Sequence, residues 1–237
     1  MGVCLLIHGF TGAPTDLGQL AERLRAAGHE VHTPTLAGHG ATRLELERVS
    51  WLDWIHSAEK ELVKLLQQHQ QVHVVGFSMG GLIATYLSNK YRDRICSLSL
   101  LSTPIYTINP KQLFRTITEA IQKSMRNHPS SPRSDEDVQR YLAKVKSTPM
   151  RSLVHFRRLV QTAKPLMEEI EMPLLVLQGE LDDLVEARSA TYIYESARSG
   201  VKNLQLYPQS RHMICVDCEA EQVMQEVVQF IRAQEAN

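Results

Sequence analysis

The chain has 237 residues, enough for one sizeable α/β core with an inserted subdomain and no second independent domain. Its 26 Lys and Arg balance 26 Asp and Glu, which excludes the basic footprint of a nucleic-acid or acidic-membrane binder and points to a small partner, uncharged overall. The first apolar run, Val3 to Ile7, is too short for a membrane span or signal segment and no basic stretch precedes it. The expectation is a soluble cytoplasmic protein without stable membrane association, a monomer or small homo-oligomer. Leu6 stands where N-myristoylation wants Ser or Thr, so Gly2 reads as the start of a strand.

In chain order, strand-like runs at Val3–Ile7, Glu30–Thr33, Val72–Val75, Ile95–Leu101, Leu174–Gln178 and Leu204–Tyr207 alternate with helical patterns at Asp16–Ala27, Trp51–Gln68, Met79–Lys90, Glu186–Ala197 and Glu219–Ala233. That alternation predicts α/β architecture: parallel βαβ units in a mostly parallel, doubly wound sheet with helices on both faces. Ligands bind such sheets at the carboxyl ends of the strands. Between Pro104 and Pro173 the alternation stops. Leu113, Phe114, Ile117, Ala120, Ile121 and Met125, then Val138, Tyr141, Leu142 and Val145, then Leu153, Phe156, Leu159 and Val160 recur at helical spacing. The polar stretch Arg126 to Asp137 connects the first two. Residues 104–170 therefore read as a candidate helical cap inserted into a core formed by 1–103 and 171–237; most of its apolar side chains are expected to pack onto the sheet, and its inner face to line an acyl pocket.

Gly76-Phe77-Ser78-Met79-Gly80 fits the Gly-x-Ser-x-Gly nucleophile elbow and falls between a β-branched run and a helical pattern. The bend forces the serine into a strained conformation, and flanking glycines keep side chains out of it. A hydroxyl is a poor nucleophile until a base takes its proton, and on such a sheet the partners follow in the order serine, acid, histidine. Asp182 lies in the loop after Leu174–Gln178, and His212 in the loop after Leu204–Tyr207. Asp183 is an alternative acid, and Asp217, which follows the histidine, a weaker one. Of ten histidines, His8 is better placed to shape a loop than to act as base, and the His39 ring sits in a tight turn suited to local hydrogen bonding. The oxyanion of an acyl-transfer intermediate needs two donors. The Met79 N–H after the nucleophile supplies one, and the Phe10 N–H in the loop His8-Gly9-Phe10-Thr11-Gly12 the other.

Four cysteines are present. Cys4 and Cys96 lie in apolar runs, while Cys215 and Cys218 form a lone Cys-x-x-Cys without the two further ligands of a zinc site or the early helix start of a redox pair. They read as buried or incidental thiols, with no metal expected.

His8-Gly9-Phe10-Thr11-Gly12, Gly38-His39-Gly40, Gly76-Phe77-Ser78-Met79-Gly80-Gly81, Ser147-Thr148-Pro149-Met150 and Ser210-Arg211-His212 together resemble the bacterial carboxylesterases and monoacylglycerol lipases of the α/β-hydrolase superfamily. The resemblance covers nearly the whole chain. It implies a triad of Ser78, Asp182 and His212, an oxyanion hole of the Phe10 and Met79 amides, short- to medium-chain esters or monoacylglycerols as substrates, and no cofactor. The chain departs from relatives in beginning almost at the strand leading to His8, where an extra strand is expected, and in carrying Glu180 and Leu181 before the acid. A thioesterase or lysophospholipase would use the same three residues, and a hydrolase-fold binding protein would keep them without turnover.

Overall fold

The computed structural model describes residues 2–40, 42–106 and 149–235. Among these residues six strands, β1 (Val3–Ile7), β2 (Glu30–His32), β3 (Val72–Phe77), β4 (Ile95–Leu101), β5 (Leu174–Gly179) and β6 (Lys202–Tyr207), form one sheet in the order β2-β1-β3-β4-β5-β6. Every neighbouring pair is parallel. Among the described residues the helices are α1 (Gly18–Ala26), α2 (Arg43–Arg48), α3 (Trp51–Gln68), α4 (Met79–Lys90), α5 (Met150–Leu166), α6 (Arg188–Ser196) and α7 (Ala220–Glu235), with short 3-10 turns at Pro14–Leu17, Arg92–Arg94 and Met167–Glu169.

Side chains alternate across a pleated strand, so one strand feeds two cores. Val3, Leu5 and Ile7 of β1 point into the core that α3, α4, α5 and α6 cover, where Trp54, Leu62, Leu82, Leu159 and Ile193 are fully buried. Cys4 and Leu6 point the opposite way, onto Leu20 and Leu24 of α1 and Val223, Val227 and Ile231 of α7. Each such Leu or Ile stabilises the fold by about 1.5–3 kcal/mol relative to exposure. The five β1 residues are all buried, as a strand covered on both faces requires.

The chain leaves β1 toward β2 and returns to β3 on the other side of β1, so the order reverses between β1 and β3. There the carboxyl ends of adjacent strands open a crevice. Ile7 pairs with Gly76, which sets the loop after β1 beside the turn after β3.

The structure moves several expected boundaries. β3 runs on to Phe77, so Gly76 and Phe77 still belong to the strand. The pattern from Asp16 to Ala27 divides into a 3-10 turn and α1. β2 stops at His32, β6 begins at Lys202, and the last two helices span Arg188–Ser196 and Ala220–Glu235. Helix α2 is additional to the sequence reading. Its start is fixed by a capping box, in which Glu45 N–H donates to Thr42 Oγ1 at 3.4 Å and Thr42 N–H to Glu45 Oε2 at 3.3 Å. Of residues 104–170, the apolar patterns beginning at Leu113 and Val138 and their connector lie outside the described residues. The third pattern is α5, which buries Leu153, Phe156 and Leu159. Among the described residues, no helix is long and apolar enough to cross a membrane.

Candidate active site

β3 ends at Phe77, and the next residue, Ser78, takes φ 52° and ψ −121° before α4 begins at Met79. A non-glycine residue with positive φ stores strain, and it persists here because the surroundings leave no room to relax. Ser78 N–H donates to Leu101 O at 2.8 Å, and Gly81 N–H to Ser78 O at 2.9 Å. A Cβ on Gly76 would overlap the Gly80 carbonyl, and one on Gly80 the Ile7 carbonyl. The two glycines thus allow α4 to pack hard against β1 and β3.

Ser78 Oγ lies 2.9 Å from His212 Nε2, and His212 Nδ1 lies 2.8 Å from Asp182 Oδ2. With the ring proton on Nδ1, donated to the carboxylate, Nε2 is free to accept from the serine hydroxyl. Ser78 and His212 are 8% and 9% exposed, whereas the Asp182 side chain is 0% exposed. Burying a carboxylate is costly unless its lone pairs are met. Here Oδ2 also accepts from Gln178 Nε2 at 2.7 Å, and Oδ1 from the Leu184 and Val185 amides, each at 2.9 Å.

The histidine loop is held equally firmly. Ser102 Oγ donates to His212 O at 2.9 Å, Arg211 N–H to Asp217 Oδ2 at 2.7 Å, and Ser210 Oγ to Glu219 Oε2 at 2.6 Å. Asp217 also accepts from Cys218 N–H at 2.8 Å. Of the three acids weighed from sequence, it is therefore Asp182 that the fold brings to His212. Asp217 caps its own loop. Asp183 is half-buried, and burial, more than the neighbouring Asp182 charge, raises its pKa above the ordinary aspartate range.

On the other side of the serine, a Cβ on Gly9 would stand 3.2 Å from Ser78 Cβ, so the loop after β1 lies directly against Ser78. No described group accepts a hydrogen bond from the Phe10 amide, and the Met79 amide, in the first turn of α4, has no intrahelical acceptor. The Phe10 ring packs against Trp54 at 5.6 Å, Phe156 at 5.3 Å and His39 at 6.1 Å. His39 Nδ1 meets Ala37 O at 3.0 Å, the local bond expected of it. Cys215 is buried and Cys218 exposed, both as free thiols. Burial first, then Asp16, pushes the Cys215 thiol up to about 12, so it stays protonated.

Gln178 and Ser102 were not picked out from the sequence. Gln178 carried a signal: it is the one polar side chain at the end of the apolar run Leu174–Leu177, and a buried amide needs a partner. Ser102 follows an apolar strand in the same way, with φ 47°.

Known proteins share this arrangement of strands. The chain is 28% identical over 233 residues to the thermostable monoacylglycerol lipase of Bacillus sp. strain H-257, covering 95% of this chain and 88% of the relative. It is 25% identical over 228 residues to the carboxylesterase of Bacillus subtilis strain 168, covering 96% and 91%. A structure from the work on LipS and LipT, two metagenome-derived lipolytic enzymes, superposes with a TM-score of 0.80 at 22% identity, covering 98% of this chain and 93% of the other. Residues 1–219 match the family Hydrolase_4, described as serine aminopeptidase, S33. The chain belongs to that hydrolase family and has the α/β-hydrolase fold.

Proposed function

We propose that the chain is a serine carboxylic-ester hydrolase acting on short- to medium-chain acyl esters, monoacylglycerols among them, through an acyl-enzyme intermediate. The observation that carries this reading is the unbroken line of hydrogen bonds from Ser78 Oγ through His212 to Asp182, starting on a strained elbow. Two relatives that cover almost the whole chain are a monoacylglycerol lipase and a carboxylesterase, which favours an ester over the peptide suggested by the family's description.

In this mechanism Ser78 Oγ attacks the ester carbonyl carbon while His212 Nε2 takes its proton. Asp182 holds the imidazole tautomer and stabilises the imidazolium that forms. The negative oxygen of the tetrahedral intermediate accepts hydrogen bonds from the Phe10 and Met79 amides. Collapse expels the alcohol, which receives the proton from His212, and leaves the acyl group on Ser78. Water then attacks that acyl group with His212 as base, and the carboxylic acid departs. Residues 104–170 act as a cap over this centre, a role supported by α5, whose Phe156 ring packs on Phe10.

The test is turnover of p-nitrophenyl butyrate beside an aminoacyl p-nitroanilide, an acyl-CoA and a lysophospholipid. The ester is expected to be the preferred substrate, and Ser78→Ala to lower kcat on the order of 10⁶-fold. Near-parent ester hydrolysis by Ser78→Ala would overturn the reading, and preference for the acyl-CoA or lysophospholipid would replace the substrate class.

A further inference from the structure

His8 is buried at the end of β1 and lies outside the line from Ser78 to Asp182, yet both of its ring nitrogens are engaged. Leu36 N–H donates to Nε2 at 3.1 Å, so that nitrogen carries no proton. The ring proton therefore sits on Nδ1, which donates to the Gly9 carbonyl oxygen at 2.9 Å. The same oxygen accepts from Gly12 N–H at 3.2 Å, closing a four-residue turn in which Thr11 takes φ 58°. The Leu36 bond requires the neutral ring, and the two bonds together require its Nδ1–H tautomer. Burial, ahead of the opposing influence of the Gly9 carbonyl and Asp16, holds the His8 pKa below the ordinary histidine range.

The Gly9 oxygen and the Phe10 amide hydrogen belong to one planar trans peptide and point to opposite sides of it. Whatever holds the oxygen also aims the hydrogen. We infer that His8 is a positioning residue of the oxyanion hole: by donating from Nδ1 to the Gly9 oxygen it keeps the Gly9–Phe10 peptide from turning over, so that the Phe10 N–H stays directed at the developing oxyanion, an inference that rests on the proposed role of the Phe10 amide. A turned-over peptide would present a carbonyl oxygen to a negatively charged intermediate. Gly9, without a side chain, offers little steric resistance to that rotation. The second bond, from Leu36 N–H, fixes the ring plane and ties the loop before Gly38 to the loop that carries Phe10.

Two substitutions separate the two ring nitrogens. The side-chain amide of His8→Asn reaches the position of Nδ1 and can still donate to the Gly9 oxygen. The longer amide of His8→Gln reaches the position of Nε2 and keeps only the Leu36 bond. His8→Asn is expected to stay within about threefold of the parent kcat, while His8→Gln loses roughly 10- to 10²-fold with KM unchanged, somewhat less than outright loss of an oxyanion donor. Affinity for an alkyl boronic acid, which forms a tetrahedral adduct on the serine, should fall by the same factor in His8→Gln. Equal kcat in the two variants, or a loss in His8→Gln without loss of boronate affinity, would overturn the inference. Ser78→Ala measured alongside keeps the two claims apart. Activity surviving Ser78→Ala refutes the proposed function, whereas activity lost in Ser78→Ala but intact in His8→Gln refutes only the role of His8.

Discussion

A serine, a histidine and a carboxylate meet at both ends of this sheet. At the carboxyl end they are Ser78, His212 and Asp182. Near the amino end, Ser97 Oγ lies 2.7 Å from His73 Nδ1, and His73 Nε2 lies 4.0 Å from Glu235 Oε1. The second set differs in every respect that chemistry needs. Ser97 is fully buried within β4, with no glycine elbow around it and no helix N-terminus beginning at the next residue. The Glu235 carboxylate is beyond hydrogen-bond reach of His73 and also faces His29 Nδ1 at 3.3 Å. Burial first, reinforced by His29 and the chain amino terminus and opposed by Glu235, lowers His73 to about 4. Three residue types in proximity therefore do not make a site. Access, fixed tautomer, saturated carboxylate and amide donors distinguish the first set.

At the carboxyl end, Asp182→Asn should lower kcat roughly 10⁴-fold by turning the imidazole to the wrong tautomer. Ser97→Ala at the opposite end should leave ester hydrolysis unchanged, and both are read from steady-state kinetics. Gly80→Val inserts a side chain where the Ile7 carbonyl already stands. A loss of stability of about 3 kcal/mol or more is expected in urea unfolding, by overpacking beside the elbow. Gln178→Ala removes one donor to a fully buried carboxylate, and about 1–3 kcal/mol should be lost in the same measurement.

The smallest effect lies at the amino end and is a pH dependence. His73 binds its proton less tightly when folded than when unfolded, so its contribution to stability is complete above about 6.5 and is lost as pH falls toward about 4. His73→Gln should flatten stability against pH across that window. An unchanged slope would assign the acid sensitivity elsewhere.

Much of the fold is legible in the sequence. β1, β4, α3 and α4 have the bounds that their apolar runs and periodicity indicate. β6 begins at Lys202 because an edge strand alternates between partly buried and exposed positions and so tolerates Lys202 and Asn203. Helix α2 is short and mostly charged, and the clue to it was the Thr-x-x-Glu cap rather than an apolar stripe. At the site, Ser78, Asp182 and His212 are each nameable from a loop at a strand end. The side chains that hold them are less so: Ser102 reaches His212 across 110 residues, which local sequence does not encode, whereas Gln178 lies only four residues before Asp182 and is marked by its polarity at the end of an apolar run. The second bond of His8 is hidden for the same reason as that of Ser102, since Leu36 lies 28 residues away.

The most direct test of the account is labelling with a fluorophosphonate probe followed by mass spectrometric mapping of the modified peptide. A single adduct on Ser78 is predicted, lost in His212→Ala and retained in His73→Ala. An adduct on any other serine, or labelling that survives His212→Ala, would contradict it.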